Sequence, residues 1–252
     1  MIIYFSGTGN SLAVSRQLAE KLNENVVPLG QAVNLDLTQE HRIGLVFPCY
    51  WFNAPRAVTE LVPRLRLSKE AYVFVVIPCG AQAGNAVWRV RRILASQGVD
   101  VAYSHKIRVP DCSAVGFGRN PNDQTWKFSR YAGRLEQIAA DIAAGVHRRH
   151  FAWWGAAGAL CAIPAVQRRT LPMLTPMVNS DRCVGCGICT EVCPQGNIAL
   201  ADNGKALCGS NCTQCLACVH FCPQQAVELN HKPTPKAHQY HHPKVTVGDM
   251  KR

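Results

Sequence analysis

Short apolar runs alternate with amphipathic stretches across residues 1–146, the pattern of a parallel sheet wrapped by helices. Ile2–Phe5 reads as a first strand, and Ser11–Leu22 as a helix with Leu12, Ser15, Leu18, Ala19 and Leu22 on one face. Val26–Leu29 is a short second strand and Ile43–Phe47 a third. Asn53-Ala-Pro55 opens a helix to about Leu65, with Asn53 expected as its cap and the proline near its first turn. Tyr72–Ile77 is the fourth strand, with a helix over Asn85–Gln97 behind it. Val99–Val109 holds the fifth strand, and Thr125–Val146 a long helix after an Asp123 cap. The expected class is α/β, a doubly wound parallel five-stranded sheet, followed by a small α+β module.

Beyond residue 176 the signal is cysteine spacing. The chain writes C-x2-C-x2-C-x3-C-P twice, at Cys183, Cys186, Cys189, Cys193, Pro194 and at Cys212, Cys215, Cys218, Cys222, Pro223. Laying Cys183 on Cys212 superposes the runs and also aligns Gln195 with Gln224 and Leu200 with Leu229, so the segment is an internal duplication. Structural zinc prefers paired C-x2-C knuckles and needs no third thiolate three residues on. A disulfide framework belongs in small secreted chains, and nothing here reads as secreted. Gly185 and Gly187 let the backbone approach sulfur, and Val184, Ile188, Val192, Leu216, Val219 and Phe221 supply an apolar shell. Asn203-Gly204 carries a hairpin-turn signal joining the halves. Residues 177–230 resemble bacterial-type two-cluster ferredoxins, where three thiolates wrap one corner of a cube and the fourth reaches the other cube. The resemblance implies one [4Fe–4S] cluster on Cys183, Cys186, Cys189 and Cys222, and another on Cys212, Cys215, Cys218 and Cys193.

A second chemical signal lies between the first strand and first helix, at Ser6-Gly7-Thr8-Gly9-Asn10-Ser11. Consecutive N–H groups at a helix N-terminus, with hydroxyls interleaved and two glycines, form a phosphate cradle. No lysine follows, which argues against a nucleoside-triphosphate loop. Here residues 1–146 resemble flavodoxins, whose S/T-x-T-G-N-S/T loop holds the FMN phosphate. In the flavodoxin-like strand order the ligand crevice lies at the carboxyl ends of strands one and three, with strand four adjacent. The loop Pro48-Cys49-Tyr50-Trp51-Phe52-Asn53 then offers aromatics to stack on the flavin, Tyr50 or Trp51 before Phe52, which could instead be core. The loop Cys79-Gly80-Ala81-Gln82-Ala83-Gly84-Asn85 permits close approach to the ring edge, and Pro110–Gln124 adds a further rim.

Composition and charge modify this picture only slightly. Met1-Ile-Ile-Tyr-Phe-Ser has no basic n-region, and thirteen cysteines without a secretory signal point to a reducing, cytoplasmic and anaerobic setting. The cysteines outside the motifs, Cys49, Cys79, Cys112, Cys161 and Cys208, are most simply buried small apolar residues. The formal charge of +11 invites a nucleic-acid reading, but residues 1–146 hold 16 basic and 11 acidic side chains, well interspersed. Two clusters and a flavin phosphate at about −2 each would leave about +5, a face suited to acidic redox partners. Residues 147–176 are expected as an apolar helical linker. Interfacial membrane contact through 151–166, with Trp153 and Trp154 between arginines, is the lesser reading. The tail 231–252, with His231, His238, His241 and His242, is expected to pack on the domain junction rather than bind metal.

The whole chain resembles flavodoxins fused to a two-cluster ferredoxin. That resemblance implies an electron-transfer protein relaying electrons between FMN and two clusters, with other redox proteins as donors and acceptors. Two alternatives stay open: an FMN-dependent reductase of a small substrate fed by the clusters, and a redox or oxygen sensor. No G-x-G-x-x-G unit and no acid/base pair supports the reductase, so a carrier is favoured over an enzyme with its own substrate.

Overall fold

The computed structural model describes residues 1–148, 160, 163, 166 and 174–251. Contacts divide the chain into two compact units. One comprises Met1–Ser6, Ser11–Val109 and Trp126–Ile163, and the other gathers Gly7–Asn10, Pro110–Thr125 and Pro164–Arg252. The expected linker falls almost wholly outside the described residues, as do Trp153, Trp154 and Cys161.

The first unit is built on strands β1 (Ile2–Tyr4), β2 (Val26–Pro28), β3 (Arg42–Val46), β4 (Tyr72–Cys79) and β5 (Val101–Arg108). All neighbours pair in parallel, in the order β2-β1-β3-β4-β5, the flavodoxin-like doubly wound order. Helices α1 (Asn10–Leu22), α2 (Arg56–Leu61) and α3 (Ala86–Ala95) lie between them along the chain, and α4 (Lys127–Ala143) follows β5. Parallel strands covered on both faces read as near-continuous apolar runs, and Val73–Ile77 of β4 is buried throughout. Phe74 and Val76 pack with Val14 and Leu18 of α1 and with Leu135 and Ile138 of α4. By the pleat, Val73, Val75 and Ile77 face the opposite layer, where α3 packs on β4 and β5.

Two expected caps are corrected. Pro55, not Asn53, occupies the N-cap of α2, while Asn53 turns its amide to the Trp51 carbonyl and pairs its backbone with Tyr50. Asp123 lies within a 3-10 turn over Pro121–Gln124, and Trp126 precedes α4. A side chain already used inside a tight turn is lost to the helix that follows.

The cysteine-rich unit repeats one motif. Helices α5 (Ile188–Val192) and α6 (Ala217–Phe221) stand at equivalent positions of the duplication, as do β7 (Ile198–Leu200) and β9 (Val227–Leu229). Strand β9 pairs antiparallel with β6 (Pro176–Val178) and with β10 (Lys232–Pro233). Strand β7 pairs with β8 (Ala206–Cys208) through the turn that holds Gly204 at positive φ, so each half lends strands to the other. A short helix α7 (Val247–Met250), capped by a Thr246–Asp249 box, ends the described chain. Among the described residues no helix is long and apolar enough to cross a membrane.

Close packing makes one fold prediction. A Cβ on Gly44, in the middle of β3, would lie 2.3 Å from the fully buried Phe74 ring. Gly44→Ala should therefore lower the unfolding free energy by about 1–3 kcal/mol in urea titrations followed by circular dichroism. A loss below about 0.5 kcal/mol would mean the ring can step aside.

Candidate functional site

Thiols from both halves ring two recesses in the cysteine-rich unit. Cys183, Cys186, Cys189 and Cys222 line one, with 360 Å³ of space including its open mouth. Cys193, Cys212, Cys215 and Cys218 line the other, with 330 Å³ counted the same way. Cys193 and Cys222 thus each serve the recess of the opposite run, because each ends its helix in extended backbone and carries its sulfur away from its neighbours.

The turns that wrap each trio of cysteines need left-handed backbone. Gly185, Gly187 and Gly196 take positive φ in the first run, and Gln214, Leu216 and Gln225 take it at the three equivalent positions of the second. Gly185 has a second reason to be glycine, since a Cβ there would lie 2.3 Å from the Gly204 carbonyl oxygen. These turns aim amides at sulfur. Asn197 N–H donates to Cys193 Sγ and Ala226 N–H to Cys222 Sγ, both at 3.3 Å and again at matching positions of the two runs. Ala206 N–H reaches Cys183 Sγ at 3.4 Å, and Gln214 N–H reaches Cys212 Sγ at 3.3 Å. Such donors stabilise negative charge on ligand sulfur and tune a cluster's potential.

Burial, then the neighbouring thiols Cys222, Cys183 and Cys186, push Cys189 up to about 11. Burial pushes Cys215 and Cys218 upward as well, so metal binding at these sites displaces protons. Four thiols per recess, amide donors and an apolar wall fit an iron–sulfur cube. The expected apolar shell is buried at Val192, Leu216, Val219 and Phe221, but Val184 is 62% exposed and Cys186 is exposed beside it. Among the described cysteines outside the motifs only Cys79 is buried; Cys49, Cys112 and Cys208 are partly exposed, contrary to expectation.

The Ser6–Ser11 stretch presents buried polar side chains: Ser6, Thr8, Asn10 and Ser11 all lie out of solvent where α1 begins. Gly9 sits at φ +88°, a conformation that favours glycine. The Ser15 hydroxyl, one turn further along α1, is fully buried with no hydrogen-bond partner among the described residues. Buried donors at a helix N-terminus fit an anion, because an apolar lining would cost less if none were bound.

The two other candidate loops are locked together in the first unit. The Asn85 N–H donates to the Phe52 carbonyl at 2.6 Å, and the Cys49 thiol meets the Ala83 carbonyl at 3.3 Å. A Cβ on Gly84 would fall 2.1 Å from the Phe52 carbonyl oxygen, so only glycine closes this junction. Between the mutually bonded Tyr50 and Asn53, both Trp51 and Phe52 take positive φ, which bulky residues rarely do. Phe52 is 39% exposed and therefore not core. Tyr50 meets Phe5 edge-on at 6.5 Å, and Pro48 and Trp51 are partly exposed. Cys79 ends β4, with Gly80 and Ala81 following in the loop.

Two contributors were missed by sequence reasoning. Lys127 is buried, and its ammonium donates to the carbonyls of Gly80 at 2.7 Å and Val109 at 3.2 Å. A signal existed, because Lys127 continues the buried stripe of Tyr131, Leu135, Ile138 and Ile142 along α4. Tyr240 donates its hydroxyl to Asn10 Oδ1 at 2.5 Å across 230 residues, which no local pattern could reveal.

Residues 175–223 match the family of 4Fe-4S dicluster domains. No curated protein matches the chain. Similar solved structures include the two-electron reduced flavodoxin of Megasphaera elsdenii, 22% identical over 42% of this chain and 82% of that one, with a TM-score of 0.35. The Streptococcus pneumonia TIGR4 flavodoxin is 18% identical over 57% of this chain and 97% of its own, with a TM-score of 0.38. The fold assignment rests on the strand order itself, and the dicluster match supports a redox role for residues 175–223.

The crossed ligand sets are testable by iron analysis. Cys193→Ser should halve the iron content, to about four per chain. Adding Cys212→Ser should lose no more, whereas adding Cys183→Ser should remove nearly all the iron. The reverse ranking would refute the crossing.

Proposed function

We propose that this chain is an electron-transfer protein that relays electrons between a bound FMN and two [4Fe–4S] clusters, and exchanges them with other redox proteins. The observation that carries the reading is the pair of four-thiol recesses, each completed by a cysteine from the opposite run. FMN exchanges one or two electrons and each cluster one, so together they can convert between paired and single electrons. The Ser6–Ser11 loop is read as the phosphate site, and the 48–53 and 79–85 loops as the flavin-ring contacts. In this reading residues 1–146 are the flavin domain, 177–230 the cluster domain, and 231–252 a tail packed on the second cysteine run.

The recesses differ in exposure, which orders them. Exposed Cys186 and Val184 open the first towards solvent, where a partner protein can approach. The second lies inward: Tyr240 bonds both His220, on the helix that carries Cys218, and Asn10 of the Ser6–Ser11 loop. The first cluster is therefore the port to partners, and the second the neighbour of the phosphate loop.

Oxygen-free purification followed by iron, sulfide and flavin analysis tests the reading. It should yield about eight iron, eight sulfide and one FMN per chain. A colourless preparation, or one with iron but no capacity to take up FMN, would reject it. Gly9→Val should abolish FMN retention and leave the iron content intact, because the added side chain strains the φ and collides with the Val245 side chain, 2.8 Å from where its Cβ would sit.

A further inference from the structure

The phosphate loop is not open along its whole length. Within the cysteine-rich unit, Gly7–Asn10 is covered by the segment that follows the second cysteine run. The His242 N–H donates to the Thr8 carbonyl at 2.8 Å. The Tyr240 hydroxyl bonds Asn10 Oδ1 at 2.5 Å, while Asn10 Nδ2 donates to the Pro110 carbonyl at 3.3 Å. Val245 lies over Gly9 so closely that a Cβ there would meet it at 2.8 Å. All three are buried: Tyr240, His242 and Val245.

The same segment is tied at its other side to the helix that carries Cys218. Gln239 Nε2 donates to the carbonyls of Val219 at 2.8 Å and of Cys222 at 2.7 Å. The Tyr240 N–H donates to His220 Nδ1 at 3.0 Å, which leaves the ring proton on Nε2 to donate to the Cys112 carbonyl, also at 3.0 Å. His241 stacks on Phe221 at 4.9 Å. One short stretch therefore reads the position of α6 on one side and fixes the loop on the other.

We propose that residues 239–245 are a strap that holds Gly7–Asn10 in its anion-cradling form, with Tyr240 as the positioning residue and His220 and Gln239 as its anchors on the thiol cage. The inference rests on the flavin reading above. Its consequence is a coupling: the loop is pre-organised only while the cage that holds α6 is intact, so FMN affinity depends on the clusters. Pre-organisation raises affinity by removing an ordering cost from the binding step, and linkage makes the coupling reciprocal at equilibrium.

The test is a fluorescence titration with FMN of the full chain, purified without oxygen and dialysed free of flavin. Tyr240→Phe keeps the ring and loses one hydroxyl. It should raise the FMN dissociation constant roughly three- to tenfold with iron, sulfide and cluster absorption unchanged. Stripping iron from the wild type with ferricyanide and a chelator should weaken FMN by at least as much. Stripping the Tyr240→Phe chain should then add less than it does in the wild type, because both changes act through one strap. Equal FMN affinity in wild type and Tyr240→Phe would overturn the strap while leaving the flavin reading intact. Full additivity of the two changes would overturn it as well, by making cage and loop independent. A wild-type chain that binds no FMN would remove the flavin reading and the strap's role with it.

Discussion

Each thiol recess draws its fourth sulfur from the opposite cysteine run, so neither half of the duplication can close its own site. Cys193 follows α5 yet lines the recess of Cys212, Cys215 and Cys218, and Cys222 makes the reciprocal crossing. The elements between them are slight: three-residue strands and five-residue helices. Helices and strands of that length are not stable alone in water. A unit with so small a core needs a staple, and metal binding to sites absent from the unfolded chain supplies folding free energy directly. Burial that raises the thiols above their ordinary range shows what apo protein gives up, since a buried charge is costly until iron shares it.

The two halves keep the same backbone but not the same residues. Left-handed positions are glycine at 185, 187 and 196, and Gln214, Leu216 and Gln225 at the equivalents. A non-glycine residue in that region costs of order 1 kcal/mol, and such strain persists only where the surroundings over-determine it. In the second run they do: Leu216 and Ala217 are buried, and α6 is gripped from outside by Gln239 and Tyr240. On the first run α7 packs against α5 and Lys251 pairs with Glu191 at 3.2 Å, while the run opens to solvent at Cys186. At Gly185 glycine is kept for room as well, since a Cβ would meet the Gly204 carbonyl.

How much of this was legible in the sequence follows from the range of each interaction. The strands and the class of the first unit came from local periodicity, which fixes which face of each element is apolar. The cysteine groupings were legible because the spacing of thiols along a turn is local, and only the crossing depended on resemblance. Helix caps at Asn53 and Asp123 failed because a competing turn claimed the side chain first. Tyr240 was invisible, because its partner is 230 residues away and a lone tyrosine in a polar tail has no period. Lys127 could have been found, since a lysine in register with an apolar stripe must carry its charge to buried acceptors.

Strain is also concentrated in the first unit at a place no packing argument requires. Trp51 and Phe52 sit side by side at positive φ between Tyr50 and Asn53, in a two-residue turn that ordinarily selects Asn-Gly. Two aromatics in such a turn forfeit backbone comfort, and Phe52 does not recover it by burial. The turn is held rather than relaxed: the Phe52 carbonyl accepts from Asn85, and Gly84 closes against it with no room for a Cβ. Local rules broken at a point fixed so firmly from outside mark function more often than error in the fold. The strained pair stands at the carboxyl end of β3 beside the glycine-bearing loop that ends β4, the end of a doubly wound sheet where crevices form, so the cost in backbone comfort falls where a fold of this class can use it.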